Sequence, residues 1–265
     1  MSAAIEARLG SILTELRLPT IKRLAPELCA QSDREGWPGN RLLEVLFEHE
    51  MNEREVRRIE RHRVDSALSP DKRLSSFDFA AVPSVSKAQV MALAEGHEWL
   101  DRGANVLLFG PPGAGKSHLV SGLGHALIDA GRRVLFMRCS ELVQRLQTAR
   151  RDLRLANELA KLDRYDLLVL DDISYVRRDQ AETSVLFELI SERYERKSIA
   201  VTANTPFSQW GEVFVDAAMT VAAVDRLVHH STILEMNVES YRRRVAQAEH
   251  APAKRARAAK TAEAI

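Results

Sequence analysis

Along the first 68 residues, apolar side chains recur every three or four positions, the spacing that lines one face of a helix. Ile5, Leu9, Ile12, Leu13 and Leu16 form one such stripe, which Pro19 interrupts. Ile21, Leu24, Leu28 and Cys29 form a second, shorter stripe, and Gly36-Trp37-Pro38-Gly39 marks a turn. A third helix starts with Leu42, Leu43, Leu46, Phe47 and Met51 and runs on through residues 53–63. Mixed charges spaced four apart support a solvent-facing surface there. No strand is evident in this part. Pro70 and Pro83 bracket an irregular stretch around Phe77-Asp78-Phe79, read as a linker over residues 69–86.

Beyond the linker the pattern changes to alternation. A helix over 87–102 leads to a strand at 105–109, a glycine-rich loop and a helix over 116–130. Then follow a strand at 133–137, a helix over 140–162 and a strand at 167–170. A helix over 183–196 and a strand at 199–202 complete the series. Strands that alternate with helices of this length predict an α/β domain, a parallel sheet with helices on both faces. The predicted organisation is a small all-α domain at 1–68, the linker, the α/β domain at 87–246 and a low-complexity Ala/Lys/Arg-rich tail at 247–265.

Charge and composition narrow the setting. Lys and Arg number 38 against 37 Asp and Glu, yet residues 242–265 carry seven basic and two acidic side chains. A near-neutral body with a cationic end suits a polyanion touched locally, and it equally suits a solvated tail. The two cysteines, Cys29 and Cys139, form no metal-ligand spacing, and no apolar run approaches a membrane span. A reducing cytoplasm and no membrane partner are expected.

The chemistry begins at Gly110-Pro111-Pro112-Gly113-Ala114-Gly115-Lys116-Ser117, which matches G-x-x-x-x-G-K-[ST] between an apolar strand and a helix. Glycines let successive backbone N–H groups curl around phosphates, and the helix N-terminus adds a favourable dipole. Residues from Gly110 through His118 are thereby assigned to ATP. Lys116 is expected to reach the β- and γ-phosphates, and the Ser117 hydroxyl to coordinate magnesium. The apolar run 167–170 ends in Asp171-Asp172. The first carboxylate is placed to hold the magnesium shell, the second to orient or deprotonate an attacking water. Asn204, at the tip of the strand 199–202, can position that water. Arg226, after a helical stretch, can complete a neighbouring subunit's site.

Taken in order, residues 110–117, 167–172, 201–204, 224–227 and Glu239-Ser240-Tyr241-Arg242-Arg243 resemble an AAA+ ATPase of the initiator and helicase-loader clade. Within that clade the sequence is most similar to the IstB family, ATP-dependent helpers of insertion-sequence transposases. Leu16-Arg17-Leu18-Pro19-Thr20, Glu35-Gly36-Trp37, residues 42–61 and Phe77-Asp78-Phe79 carry the narrower likeness. The resemblance implies an AAA+ P-loop fold preceded by a small helical domain that binds partner and self. It also implies Asn204 as the first sensor, Arg226 as a finger acting in trans, and Arg242 as a second sensor touching the nucleotide. Asp172 stands where many relatives have Glu. The helix 140–162 takes the place of the clade's initiator-specific insertion, which makes Arg145, Arg150, Arg151 and Arg154 candidate DNA contacts. The implied activity is an Mg-dependent ATPase that oligomerises on duplex DNA, without base-reading motifs, and recruits a transposase. A DnaC-like helicase loader acting on single strands is the alternative.

Overall fold

A computed structural model describes residues 3–173, 179–206, 209, 210 and 217–238. The chain divides into two units, residues 1–61 and 62–265. The first is built on α1 (Ala3–Glu15), α2 (Pro19–Glu35) and the larger part of α3 (Gly39–Asp65). Pro19 ends one stripe by opening the next helix, at a position where its missing N–H costs nothing. Leu13, Ile21, Ala25 and Leu46 form the small core. The rest of the α1 stripe, Ile5, Leu9, Ile12 and Leu16, is exposed, as are Leu43, Phe47 and Met51 of α3.

No side chain of the preceding residue caps α2; Glu50 does so from α3. Its Oε2 accepts the backbone N–H groups of Thr20 (2.8 Å) and Ile21 (3.0 Å), and Oε1 accepts Arg54 Nε at 3.0 Å. Burial alone raises the Glu50 pKa, but the Ile21 and Thr20 N–H groups and the Arg54 guanidinium outweigh it, so the carboxyl titrates below an ordinary glutamate. Replacing Glu50 with alanine strands buried donors and is expected to destabilise the unit by about 1–3 kcal/mol. Because the folded pKa is depressed, the contribution is full above the unfolded value and fades as pH falls through the folded one. Thermal melts of wild type and Glu50→Ala should therefore differ at neutral pH and converge in acid.

The second unit carries a five-stranded parallel sheet of β1 (Asn105–Phe109), β2 (Val134–Arg138), β3 (Leu167–Asp171), β4 (Ser198–Ala203) and β5 (Ser231–Glu235). The strand order is β2-β3-β4-β1-β5. Around it lie α4 (Lys87–Glu95), α5 (Glu98–Asp101), α6 (Lys116–Asp129), α7 (Cys139–Arg151), α8 (Leu155–Leu162), α9 (Gln180–Arg193) and α10 (Ala217–Val228). β1 and β4 are buried along their whole length and β3 up to Leu170, so both sheet faces are covered and the runs read as continuously apolar. The α/β architecture expected from the alternation is therefore the one observed.

Three details depart from the sequence reading. β5 is additional: at the edge of the sheet four of its five residues are half-buried or exposed and only Leu234 is buried, so the strand carries little apolar signal. The helix expected over 140–162 is two helices, because the backbone turns at Leu153 with φ +56°. No glycine or proline marks that turn, and Leu153 is exposed. The helix expected over 87–102 is likewise broken, at Gly96-His97.

Residues 62–86 belong to the second unit. The stretch 69–86 holds two short 3-10 turns, Leu74–Ser76 and Phe79–Ala81, of which the first packs on α6. The contact surface on α6 is a stripe at helical spacing: His118, Gly122 and His125. His118 Nε2 lies 3.2 Å from Ser76 Oγ and 3.1 Å from the Arg73 carbonyl oxygen, and His125 Nε2 lies 2.9 Å from the Ser69 carbonyl oxygen. Between them Gly122 lets the linker backbone in: a Cβ there would stand 2.8 Å from Leu74 N.

Candidate nucleotide site

β1 ends at Phe109 and α6 begins at Lys116; the loop between them curls at the carboxyl edge of the sheet, where order reverses between β4 and β1 and ligands of parallel sheets bind. Gly110, Gly113 and Gly115 take φ of +151°, +84° and +102°, a conformation other residues rarely adopt. At Gly110 a side chain is also excluded sterically, since a Cβ would lie 2.5 Å from the Met236 carbonyl oxygen. The loop opens onto a cleft of about 710 Å³.

Inside the cleft the predicted residues from three segments are joined in one network. Lys116, almost fully buried, donates to Gly110 O (2.6 Å), Pro111 O (3.0 Å) and Asn204 Oδ1 (2.8 Å), one acceptor for each ammonium proton. The other end of the same amide donates from Asn204 Nδ2 to Asp172 Oδ1 at 2.8 Å. Ser117 Oγ donates to Asp171 Oδ1 at 2.7 Å, and Thr202 Oγ1 donates to the same oxygen at 2.7 Å. Asn204 thus links the lysine to the second carboxylate, while Asp171 gathers two hydroxyls.

Asp172 has φ +62°. Its backbone N–H donates to Thr202 Oγ1 at 2.8 Å, which turns the chain out of the strand as β3 ends. Asp and Asn enter this left-handed region more readily than longer or branched side chains. That preference is a local physical reason for aspartate rather than glutamate at this position.

Other parts of the wall were not assigned to the site from the sequence. Phe77, Ala81 and Val82 of the linker form an apolar side, and Lys72 and Arg138 add cations to the lining. Phe77 rests edge-on against His118, with ring centroids 5.4 Å apart, and a Cβ on Gly115 would meet its ring at 3.1 Å. The His118–Gly122–His125 stripe is the signal that shows, in retrospect, where the linker docks. Thr202 was legible only as a strand residue.

Arg226 is not in this cleft. The carbonyl oxygens of Arg226 and Leu227 accept from Asn105 Nδ2, at 3.5 and 3.0 Å, which fixes them beside the first residue of β1. The phosphate loop follows the last, about 13 Å further on at strand rise. The Arg226 guanidinium lies over the rings of Phe187 (5.2 Å) and Tyr194 (5.9 Å) of α9 and its C-cap. Arg242 lies outside the described residues.

The four arginines of the 140–162 segment are dispersed and partnered. Arg145 pairs with Glu158 across the α7–α8 groove, and Arg150 with Glu188 and Ser184 of α9. Arg151 donates to Thr148 Oγ1 at 3.2 Å, and Arg154 to Asp152 Oδ2 at 2.6 Å. Arg145 and Arg154 line a groove of about 800 Å³ that also holds Lys161, Arg164 and the acids Glu141, Asp152 and Glu158.

The donor set in the cleft suits a magnesium nucleotide. A hydroxyl and a carboxylate, Ser117 and Asp171, are the hard oxygen ligands that magnesium prefers beside phosphates. The glycine cradle offers backbone N–H groups and Lys116 a charge. Among the described residues no helix is long and apolar enough to cross a membrane.

Comparison with known proteins agrees with the residues. The family model for IstB-like ATP-binding proteins matches residues 11–249. An insertion sequence ATP-binding protein of Sinorhizobium fredii is 65% identical over 241 residues, covering 91% of this chain and 81% of its own length. The insertion sequence IS21 ATP-binding protein of Pseudomonas aeruginosa is 37% identical over 231 residues, 87% of each chain. Among solved structures, AMPPCP-bound DnaA from Aquifex aeolicus superposes with a TM-score of 0.55 at 16% identity, covering 70% of this chain and 56% of that one; the likeness is one of fold. The AAA+ P-loop fold and the family read from the sequence are both borne out: this chain belongs to the IstB-like ATP-binding proteins of insertion sequences.

Proposed function

We propose that the chain is an Mg-dependent ATPase that assembles with copies of itself on duplex DNA when ATP is bound, recruits and stimulates a partner transposase, and comes apart on hydrolysis. The observation that carries this reading is the division of catalytic groups. One cleft collects Lys116, Ser117, Asp171, Asp172 and Asn204, while Arg226 sits at the other end of its own sheet. A cation there serves a cleft on a neighbouring copy, so nucleotide favours assembly because only the assembled state supplies the second half of the site.

In this mechanism the phosphates lie in the 110–118 loop with Lys116 exchanging a carbonyl partner for phosphate oxygen. The base packs on the linker wall of Phe77, Ala81 and Val82, and Arg242 approaches the nucleotide from beyond the described residues. Ser117 and Asp171 hold magnesium, which supplies charge neutralisation to the phosphates. Asp172 takes the proton of the attacking water, and Asn204 fixes the carboxylate that does so. Arg226 of the next subunit stabilises charge developing on the transferred group.

Duplex DNA is met through phosphate contacts, with strong salt dependence and little sequence preference. Exposed Arg151 stands best for this role; Arg145, Arg150 and Arg154 would first have to leave their carboxylates. The exposed apolar stripe Ile5, Leu9, Ile12 and Leu16 supports a protein-binding role for residues 1–68.

Lys116→Ala removes the one buried cation of the cleft. ATP binding should weaken about a hundredfold, the cost of a charge-assisted contact of ~3 kcal/mol. Equilibrium titration with a fluorescent ATP analogue reads this, and wild-type affinity in the variant would contradict the site.

A further inference from the structure

We propose that Glu195, His229 and His230 form a binding site for one transition-metal ion of the zinc type, at the edge of the sheet opposite the nucleotide cleft. Glu195 lies in the turn after α9, immediately before β4, and the two histidines form the two-residue turn between α10 and β5. These turns start strands that flank β1 on either side, and the fold brings their ligand atoms to within 4.8 Å of one another.

The spacing suits a metal. Glu195 Oε1 lies 3.6 Å from His229 Nδ1 and 3.7 Å from His230 Nε2. Ligands about 2.05 Å from a tetrahedral ion stand about 3.3 Å apart, so the carboxylate is already within a few tenths of an ångström of both rings' requirement. Two imidazoles and a carboxylate are a borderline-soft set that selects zinc, cobalt or nickel over magnesium. All three side chains are about half exposed, which leaves an entry path and room for water to complete the shell.

Ring stacking and backbone contacts also hold the ligands in place. The Tyr194 hydroxyl lies 2.7 Å from His229 Nδ1, and the Tyr194 and His229 rings stack at 5.9 Å. Nδ1 is also the ligand atom that faces Glu195, so a bound ion takes its lone pair in place of the phenol contact, while the ring stacking stays. The backbone of His230 is anchored by its carbonyl oxygen, which accepts Asn105 N–H at 2.7 Å. Glu195 adopts φ +56° and packs so closely on Gly103 that a Cβ on the glycine would stand 2.7 Å from its carbonyl carbon. Finally, α9 and α10 both end here, so the partial negative charge of two helix C-termini favours a cation. Arg226 lies one turn before His229 and over the Tyr194 ring. A bound ion would stiffen that platform, although the metal site stands whatever role Arg226 plays.

The test is a titration of the tag-free, chelator-treated full chain with Zn²⁺ by calorimetry and with Co²⁺ by visible absorption. Nucleotide is left out, and unliganded melting curves verify that every variant is folded. One saturable ion per chain is expected, with a Co²⁺ spectrum of low-symmetry nitrogen and oxygen ligation. His229→Ala and His230→Ala should each weaken binding at least tenfold, whereas Tyr194→Phe, which keeps the stacked ring and removes only the hydroxyl competing for Nδ1, should bind at least as tightly as the wild type. Asp171→Asn, in the nucleotide cleft, should leave the titration unchanged. Lack of saturable binding in the wild type, or wild-type affinity in a folded His229→Ala/His230→Ala double variant, would overturn the proposal. Loss on Asp171→Asn alone would overturn it as well, by assigning the ion to the cleft.

Discussion

Arg226→Ala should lower ATP hydrolysis of the assembled protein by about 10³–10⁵-fold while leaving ATP binding to the isolated chain nearly unchanged. The asymmetry follows from position. Arg226 contributes nothing to the cleft of its own chain, since its backbone is fixed beside Asn105 at the start of β1. Its local contacts are a hydrogen bond from Nη1 to the Ala222 carbonyl oxygen and two aromatic faces, Phe187 and Tyr194. Losing half-exposed contacts of that kind costs on the order of 1 kcal/mol, so the variant should stay folded. A mixture of two defective proteins tests the shared site directly. In Arg226→Ala plus Lys116→Ala, the first supplies an intact cleft and the second an intact arginine. Hydrolysis should reappear on mixing in a steady-state assay. A mixture as inactive as its components, or an Arg226→Ala protein with wild-type turnover, would remove the finger.

A second large effect is expected from Asp172→Asn, a fall in the hydrolysis step of about 10²–10⁴-fold with ATP affinity retained. Asparagine tolerates the left-handed backbone of this position as well as aspartate does and can still meet the Asn204 amide, so the network survives and only the proton acceptor is lost. The protein should then assemble with ATP and fail to release, giving DNA complexes that outlive those of the wild type. Asp172→Glu offers the opposite trade, a longer reach against a strained φ. Single-turnover hydrolysis and dissociation of a labelled duplex separate the two steps. Wild-type hydrolysis in Asp172→Asn would show that another group receives the proton.

The sheet and the nucleotide loop were legible because their signals are redundant. Leu167 to Leu170 is a run that only burial on both faces explains, and the lysine, serine and glycines of the loop have one common purpose. The joining of Asn204 to both Lys116 and Asp172 was legible only in part. The residues could be named from strand tips, but that one amide serves both partners depends on how β3 and β4 align. β5 escaped notice since an edge strand need not be apolar, and the turn at Leu153 did because a leucine with positive φ leaves no compositional mark. The metal-type cluster was the least legible. His229-His230 reads as a polar turn, and Glu195, far away in sequence, joins it only through the parallel placement of β4 and β5 around β1. The arginines of α7 and α8 show the converse limit. The family resemblance suggested a DNA face, whereas Arg145, Arg150 and Arg154 are committed to carboxylates that the resemblance does not reveal.

The central claim is that ATP controls the grip on duplex DNA through a site shared between copies. Fluorescence anisotropy of a labelled duplex and a labelled single strand, with ATP, ADP or neither, at two salt concentrations, tests it most directly. The account predicts tight, salt-sensitive duplex binding with ATP, weak binding with ADP or without nucleotide, and loss of the ATP response in Arg226→Ala. Duplex binding indifferent to nucleotide would contradict it, and a preference for the single strand would point to helicase loading instead.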